Sequence, residues 1–305
     1  MKYPLVSVAI PTYNHAPYIE ACLQSVYDQT YPNIELAVID DGSKDDTRAR
    51  VDHFLATHAD RFTNVIIKSR PNRGVSATSN EAIAACKAEW VHLLGSDDVI
   101  YPEKILRQWQ AIQSWNEPRL ALVYADADYL DANGKKYPKK QGDRPAAGPE
   151  NSAYRRLFLQ NPITNPTVAL NRSAFLNIGG FDESLKLEDW DCWLRLSVKH
   201  AIARVPEVLA GYRYHPHNTS RNQHLMLHAM LLTFAKFLES HGELIPVDIR
   251  KENFKKNLHR LYRWAKNKHP ALLTSIGIDM LTTPFRTPEA RNYQRYAEKL
   301  GRQVQ

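Results

Sequence analysis

The chain has 305 residues, enough to bury a full core, and its 43% hydrophobic and 24% charged residues are ordinary for a soluble globular protein. Its net charge of +7 is unevenly placed: residues 221–305 carry 15 Lys and Arg against 7 Asp and Glu, while residues 1–220 net −1. No apolar run has membrane-spanning length, Met1-Lys2-Tyr3-Pro4 leads directly into a strand pattern, and three scattered cysteines form no disulfide framework, so the chain reads as a cytoplasmic protein.

Residues 5–10 predict a first strand, ending at Pro11-Thr12-Tyr13-Asn14. An amphipathic helix follows, with Ile19, Cys22, Leu23, Val26 and Tyr27 on one stripe. Residues 35–39 form a second strand ending at Asp40-Asp41-Gly42-Ser43; Asp45 or Asp46 then caps a helix that turns Val51, Phe54 and Leu55 inward. A third strand, residues 65–68, runs into Arg70-Pro71-Asn72-Arg73-Gly74, followed by a small-residue helix over 75–86. The fourth strand, residues 90–94, is apolar enough to be buried on both faces and breaks at Gly95 into Ser96, Asp97 and Asp98. Four alternations of strand and helix in a hundred residues imply βαβ units: an α/β fold with a mainly parallel central sheet and helices on both faces.

All four strands end in polar or acidic residues on one edge of that sheet, where open α/β folds bind ligands. The bland alternatives are turns and helix caps: Gly42 and Ser43 can close a turn around Asp40 and Asp41, and Pro102 can start a helix after Asp98. No nucleophilic triad, no zinc-spaced Cys/His cluster and no glycine-rich phosphate loop is present. A nucleotide would therefore be held by carboxylates and a metal. Asp97 and Asp98 are the right ligand type for Mg²⁺ or Mn²⁺.

Farther along, Asp131-Ala132-Asn133-Gly134 predicts a hairpin turn. The basic, Pro- and Gly-rich stretch with Lys135, Lys136, Lys139, Lys140 and Arg144 reads as a solvated loop or as a lid over donor phosphates. Residues 167–170 predict a short strand. Gly179-Gly180-Phe181-Asp182 predicts a tight turn ahead of a helix opened by Glu188, Asp189 and Asp191, where acids also serve as dipole partners. From residue 221 the chain is helical. Residues 225–238 are apolar almost all round, whereas 248–269 carry a stripe of Phe254, Leu258, Leu261, Tyr262 and Ala265, with Lys251, Lys255, Arg260, Arg263 and Lys266 mostly away from it.

These motifs, in this order and spacing, resemble family 2 glycosyltransferases: Pro11-Thr12-Tyr13-Asn14, Asp40-Asp41-Gly42-Ser43, Asn72-Arg73-Gly74 with Asn80, Ser96-Asp97-Asp98, Gly179-Gly180-Phe181-Asp182, Glu188-Asp189-Trp190-Asp191 and Tyr212-Arg213-Tyr214-His215. The resemblance covers about residues 4–220, taken as the catalytic domain, and leaves 221–305 as a basic helical segment. It implies an A-type, Rossmann-like fold and an inverting transfer of one sugar from a nucleoside-diphosphate sugar, with a UDP-sugar as first choice, to an acceptor hydroxyl in bacterial-type surface polysaccharide or glycolipid assembly. It implies that Pro11, Thr12, Tyr13, Asn14, Asp40, Asp41, Asn72, Arg73, Asn80, Ser96 and Asp97 bind the donor. Asp97, Asp98 and His215 would hold Mn²⁺ or Mg²⁺, and Asp189, with Glu188 and Asp191 beside it, would deprotonate the acceptor. Gly95 departs from the pattern, since many members carry an aspartate there.

The implied partners are the sugar nucleotide and a saccharide or lipid-linked saccharide acceptor. The basic helices suit peripheral contact with an anionic membrane at the inner face of the plasma membrane, or a subunit contact, and no nucleic-acid fold is evident. A non-catalytic sugar-nucleotide scaffold and, behind it, a nucleotidyltransferase are the rivals. The latter should carry a glycine-rich, arginine-containing loop after strand one, which Pro11-Thr12-Tyr13-Asn14 is not.

Overall fold

The computed structural model describes residues 3–138, 145–266, 269–283 and 286–301. Lys139, Lys140 and Arg144 of the expected basic loop lie outside the described residues. The chain forms two compact units. The first comprises Met1–Ser152, Pro162–Glu183 and Lys199–His215, and the second Ala153–Asn161, Ser184–Val198 and Pro216–Gln305.

The first unit alternates as expected: β1 (Val6–Thr12), α1 (Ile19–Tyr27), β2 (Ile34–Asp40), α2 (Thr47–His58), β3 (Asn64–Ser69), α3 (Val75–Ala85), β4 (Trp90–Leu93). Then come β5 (Val99–Ile100), α4 (Lys104–Trp115), β6 (Leu120–Leu130), β7 (Lys136–Tyr137) and β8 (Gly148–Glu150). The second unit takes α5 (Tyr154–Leu157), the first contributes β9 (Ala169–Asn171) and α6 (Arg172–Asn177), and α7 (Glu188–Lys199) precedes β10 (Ala201–Arg213). One sheet results, in the order β3-β2-β1-β4-β9-β6-β10-β5. β3, β2, β1 and β4 are parallel, as are β6 and β10, while β9 inserts antiparallel between β4 and β6 and β5 ends the order antiparallel to β10. All seven residues of β2 are buried, as a strand covered on both faces requires. Glu35, buried within it, accepts hydrogen bonds from Ser7 Oγ (2.6 Å), Asn64 Nδ2 (2.9 Å) and the Lys87 N–H (2.7 Å).

The register puts Thr12 opposite Asp40 and Ala9 opposite Leu93, so the ends of β1, β2 and β4 share one edge. The strand expected at 167–170 is shifted: Asn165–Thr167 make a 3₁₀ turn and the strand begins at Ala169. Pro166 lacks the N–H a central strand needs, and Thr167 closes the turn by donating to the Thr164 carbonyl. β6 and β10 were not expected from the sequence.

In the second unit, α8 (Gln223–His241), α9 (Val247–Ala265), α10 (Pro270–Thr282) and α11 (Ala290–Gly301) follow one another. An aromatic cluster joins α8, α9 and α11: Phe234 lies 4.9 Å from Phe158, 5.3 Å from Trp190 and 5.9 Å from Tyr293, and Tyr293 lies 5.0 Å from Phe254 between ring centroids. Buried Asp279 is held by Arg286, Arg295 and the Tyr296 hydroxyl. Phe254, Leu258, Leu261 and Ala265 are buried, so packing uses the α9 stripe, and only Tyr262 of that set is exposed. Among the described residues no helix is long and apolar enough to cross a membrane. Cys22, Cys86 and Cys192 are free and buried.

Candidate active site

The loop leaving β1 is latched to the loop leaving β2. Asn14 adopts φ +52°, a left-handed conformation that asparagine tolerates better than most residues. Its N–H donates to Ser43 Oγ (2.9 Å), and its Oδ1 accepts from the Lys44 N–H (2.7 Å). The next residue, His15, donates its N–H to Thr47 Oγ1 (2.8 Å) and sets its ring Nδ1 2.7 Å from Ser96 Oγ in the loop leaving β4. In that loop Asp97 Oδ2 lies 3.0 Å from Nε2 of His215, just past the end of β10. The Tyr18 ring backs the His215 ring at 4.8 Å. Arg213 ties the loops together by donating its N–H to Asp98 Oδ1 (2.7 Å) and its Nε–H to the Asp97 carbonyl (2.7 Å).

His15, Asp97 and His215 thus bring one potential ligand atom each to within 4.8 Å of one another. Ligands about 2.1 Å from one cation stand roughly 3 Å apart at right angles and about 4.2 Å apart when opposed, so this donor set fits a divalent ion. The 3.0 Å between Asp97 Oδ2 and His215 Nε2 is the spacing of adjacent ligands. Asp98 lies outside this trio. Burial, then the charge of Asp97, push its carboxyl well above the usual carboxylate range. Burial pushes Asp97 upward too, but the His215 hydrogen bond and the charge of His15 outweigh it and hold that carboxyl below its ordinary range. The two neighbouring acids are thereby pushed in opposite directions. Burial, the largest cause, lowers His15 against the opposing charge of Asp97.

Gly95 has a physical reason here: a Cβ at that position would stand 2.9 Å from Asp97 Oδ1 and 3.1 Å from Asp98 Oδ2. An aspartate there would displace both carboxylates.

The other expected donor residues divide by what they touch. Thr12 is buried, and its hydroxyl finds no partner among the described residues; Pro11 is partly buried and Tyr13 exposed. Asp40 accepts from Ser43 Oγ (2.5 Å) and Ser69 Oγ (2.6 Å). Asp41 pairs with Arg70 and accepts the N–H groups of Arg73 (2.8 Å) and Gly74 (2.9 Å) at the start of α3. Both acids are buried and engaged by the protein. Asn72 is exposed, and Arg73, also exposed, reaches Glu183 at 3.5 Å. Asn80 holds the Gly179-Gly180 turn, accepting from the Phe181 N–H (2.8 Å) and donating to its carbonyl (2.9 Å). A Cβ on Gly180, at φ +69°, would come within 2.7 Å of Asn80 Oδ1. Lys136 of the basic loop is paired with Asp128 at 2.5 Å.

The acids of α7 belong to the second unit. Trp190 anchors the helix start by donating its Nε1–H to the Leu157 carbonyl (2.8 Å). Asp191 is held by Arg195 at 2.6 Å. Asp189 and Glu188 are partly buried; desolvation is the main cause that pushes Asp189 up to about 6 and Glu188 up to about 7, with the charge of Asp189 adding to the latter.

Sequence reasoning missed His15, although a histidine in a strand-end loop beside the acidic edge is the available signal. Arg70 and Arg213 stand in the motifs without a role, because Asp41, Asp97 and Asp98, which they hold, lie 29 to 116 positions away.

The family model described as "Glycosyl transferase family 2" matches residues 7–179. An uncharacterised glycosyltransferase of Rickettsia prowazekii is 30% identical over 224 residues, covering 72% of this chain and 68% of the relative. The amylovoran biosynthesis glycosyltransferase AmsE of Erwinia amylovora is 27% identical, covering 68% of this chain and 76% of the relative. Two solved structures share the fold. S. aureus TarS in complex with UDP-GlcNAc has TM-score 0.68 at 18% identity, over 98% of this chain and 92% of that one. The mannosyltransferase PcManGT of Pyrobaculum calidifontis in complex with GDP-Man and Mn²⁺ has TM-score 0.62 at 19% identity, over 98% of this chain and 81% of that one.

Proposed function

The chain belongs to glycosyltransferase family 2, and we propose that it moves one sugar from a UDP-sugar onto an acceptor hydroxyl with inversion, in surface polysaccharide or glycolipid assembly. The observation that carries this reading is the His15, Asp97 and His215 cluster at the carboxyl edge of the parallel strands. UDP-GlcNAc bound by TarS favours UDP, GDP-Man bound by PcManGT keeps GDP as the alternative, and AmsE supports the polysaccharide context.

Asp97 and His215 hold a divalent cation, Mn²⁺ or Mg²⁺, which supplies positive charge against the departing diphosphate. Thr12, with its unpartnered buried hydroxyl, and Tyr13 take the nucleotide base. Asp40 and Asp41 keep the two loops that form its edge, and Arg73 offers an exposed cation to the donor. The acceptor oxygen forms a bond to the anomeric carbon as the bond from that carbon to the phosphate oxygen breaks on the opposite face. Asp189 takes the hydroxyl proton, and its carboxyl, pushed up to about 6, suits a base working near neutrality.

Outside the transfer site, Glu252, Lys255, Lys256, His259, Arg260 and Arg263 of α9 line an open groove of about 480 Å³, in which Lys256 pairs with Glu252 at 2.7 Å. We propose that it binds anionic membrane by charge, so that a lipid-carried acceptor is met at the surface. Each Lys or Arg near such a surface is worth about 1 kcal/mol and is screened by salt. Liposome sedimentation should show salt-sensitive binding that disappears with Glu at Lys251, Lys255, Arg263 and Lys266. Equal binding by both proteins would leave this face as ordinary solvated surface.

Turnover tests the main reading. The full chain, given a panel of UDP- and GDP-sugars with Mn²⁺ or EDTA, should release nucleoside diphosphate from one donor only when the cation is present. Equal release in EDTA, or release from no donor, would overturn it.

A further inference from the structure

His15 is fixed more firmly than a loop histidine needs to be. The left-handed Asn14 is latched to Ser43 and Lys44 on one side, the Ala16 N–H donates to Asp45 Oδ2 (3.1 Å) on the other, and the His15 N–H is held by Thr47. Its ring stands edge-on to Tyr18 (6.0 Å) and to His215 (5.8 Å), which leaves it little freedom to turn. Nδ1 lies 2.7 Å from Ser96 Oγ, and Ser96 is itself buried. A hydroxyl can accept or donate. When it accepts from Nδ1–H, the proton is confined to that nitrogen and the lone pair is left on the other. Metal-binding histidines are commonly oriented in this way, by a partner that holds the second ring nitrogen.

We propose that His15 is a third protein ligand of the cation, that Ser96 is the positioning residue fixing its tautomer, and that the trio retains Mn²⁺ without nucleotide and in preference to Mg²⁺. This rests on the reading of Asp97 and His215 as cation ligands. The preference follows from the donors. Magnesium keeps oxygen ligands and gives up its waters reluctantly, whereas imidazole suits transition metals. A single carboxylate with two imidazoles therefore discriminates, where a pair of carboxylates would bind either ion. Three protein ligands would still leave the cation open to donor oxygens and water, so holding it would not block the donor.

The test measures metal and not turnover. The EDTA-stripped full chain is titrated with Mn²⁺, and the free ion is followed by electron paramagnetic resonance, with and without UDP and with a hundredfold excess of Mg²⁺. The proteins are wild type, His15→Ala, His15→Gln and Ser96→Ala, each checked by a thermal melt. Wild type should bind one Mn²⁺ without nucleotide and keep it against Mg²⁺. His15→Ala and His15→Gln should each weaken that binding at least tenfold, and Ser96→Ala should weaken it by about tenfold, the scale of losing a partner of a ligating histidine. His15 variants that bind as wild type does, or a wild type that binds Mn²⁺ only with UDP, would overturn the proposal and leave the two-ligand reading standing. No Mn²⁺ binding with or without UDP would overturn both.

Discussion

Replacing Lys104 with methionine should flatten the pH dependence of stability. Lys104 is fully buried at the start of α4, its Nζ 3.0 Å from His92 Nδ1 and 3.3 Å from the Val168 carbonyl. Burial pushes its amine down from 10.5 to about 7. The unfolded chain therefore holds this proton up to about pH 10.5 and the folded chain only up to about 7. Between those values the unfolded state binds more protons, so stability must rise with pH. At 1.36 kcal/mol per pH unit, the penalty is about 4 kcal/mol at pH 7 and falls to about 1 kcal/mol at pH 10. Lys104→Met removes that slope. It also leaves the His92 nitrogen and the Val168 carbonyl without their donor, which costs about 1–3 kcal/mol at every pH, so the slope is the quantity to compare. Urea unfolding at pH 7, 8, 9 and 10 should show wild type gaining about 3–4 kcal/mol more than the variant across the range. The other titrating groups are common to both proteins and cancel. Parallel curves for the two proteins would refute the reasoning.

Asp189→Asn should bind donor but transfer about 10²–10⁴ more slowly, since the amide cannot take a proton. Because burial raises Asp189 to about 6 and Glu188 to about 7, both are protonated in acid; wild-type kcat should rise with pH through about 6–7 and then level, and Asp189→Asn should lack that limb. An unchanged pH profile in the variant would remove Asp189 as the base. Asp97→Asn should lose at least about 2 kcal/mol of transition-state stabilisation, measured as kcat/KM. Asp98→Asn should lose much less, because burial already favours the neutral acid that the amide mimics; equal losses would reverse the two roles. Gly95→Ala should weaken Mn²⁺ binding about tenfold or more by crowding Asp97, and unaltered binding in the same titration would show that the loop yields.

The first half of the first unit was readable because β1 to β4 are short apolar runs that each stop at polar residues. Their boundaries fell within about two residues, as periodicity allows. β6 and β10 were unreadable for a physical reason. Arg204 in β10 pairs with Asp126 in β6 (2.7 Å), so each strand carries a charge that makes sense only across the ladder. Pro206 and the register shifts around Val208 further break the alternation. At the site, Asp97 and His215 were identified as residues, but their 3.0 Å approach spans 118 positions. Asn80, an expected donor contact, also closes a turn a hundred residues away with its amide, which no local pattern reveals. The absence of a side chain at Gly95 likewise becomes intelligible only when the two carboxylates beside it have positions.

Cation-dependent donor binding is the centre of this account, and calorimetry of UDP and GDP binding to the full chain tests it most directly. Wild type in Mn²⁺ should bind one of the two nucleotides at least about 30-fold more tightly than wild type in EDTA or Asp97→Asn in Mn²⁺, the factor that corresponds to about 2 kcal/mol. The same affinity in all three conditions would contradict the assignment of Asp97 and the cluster around it.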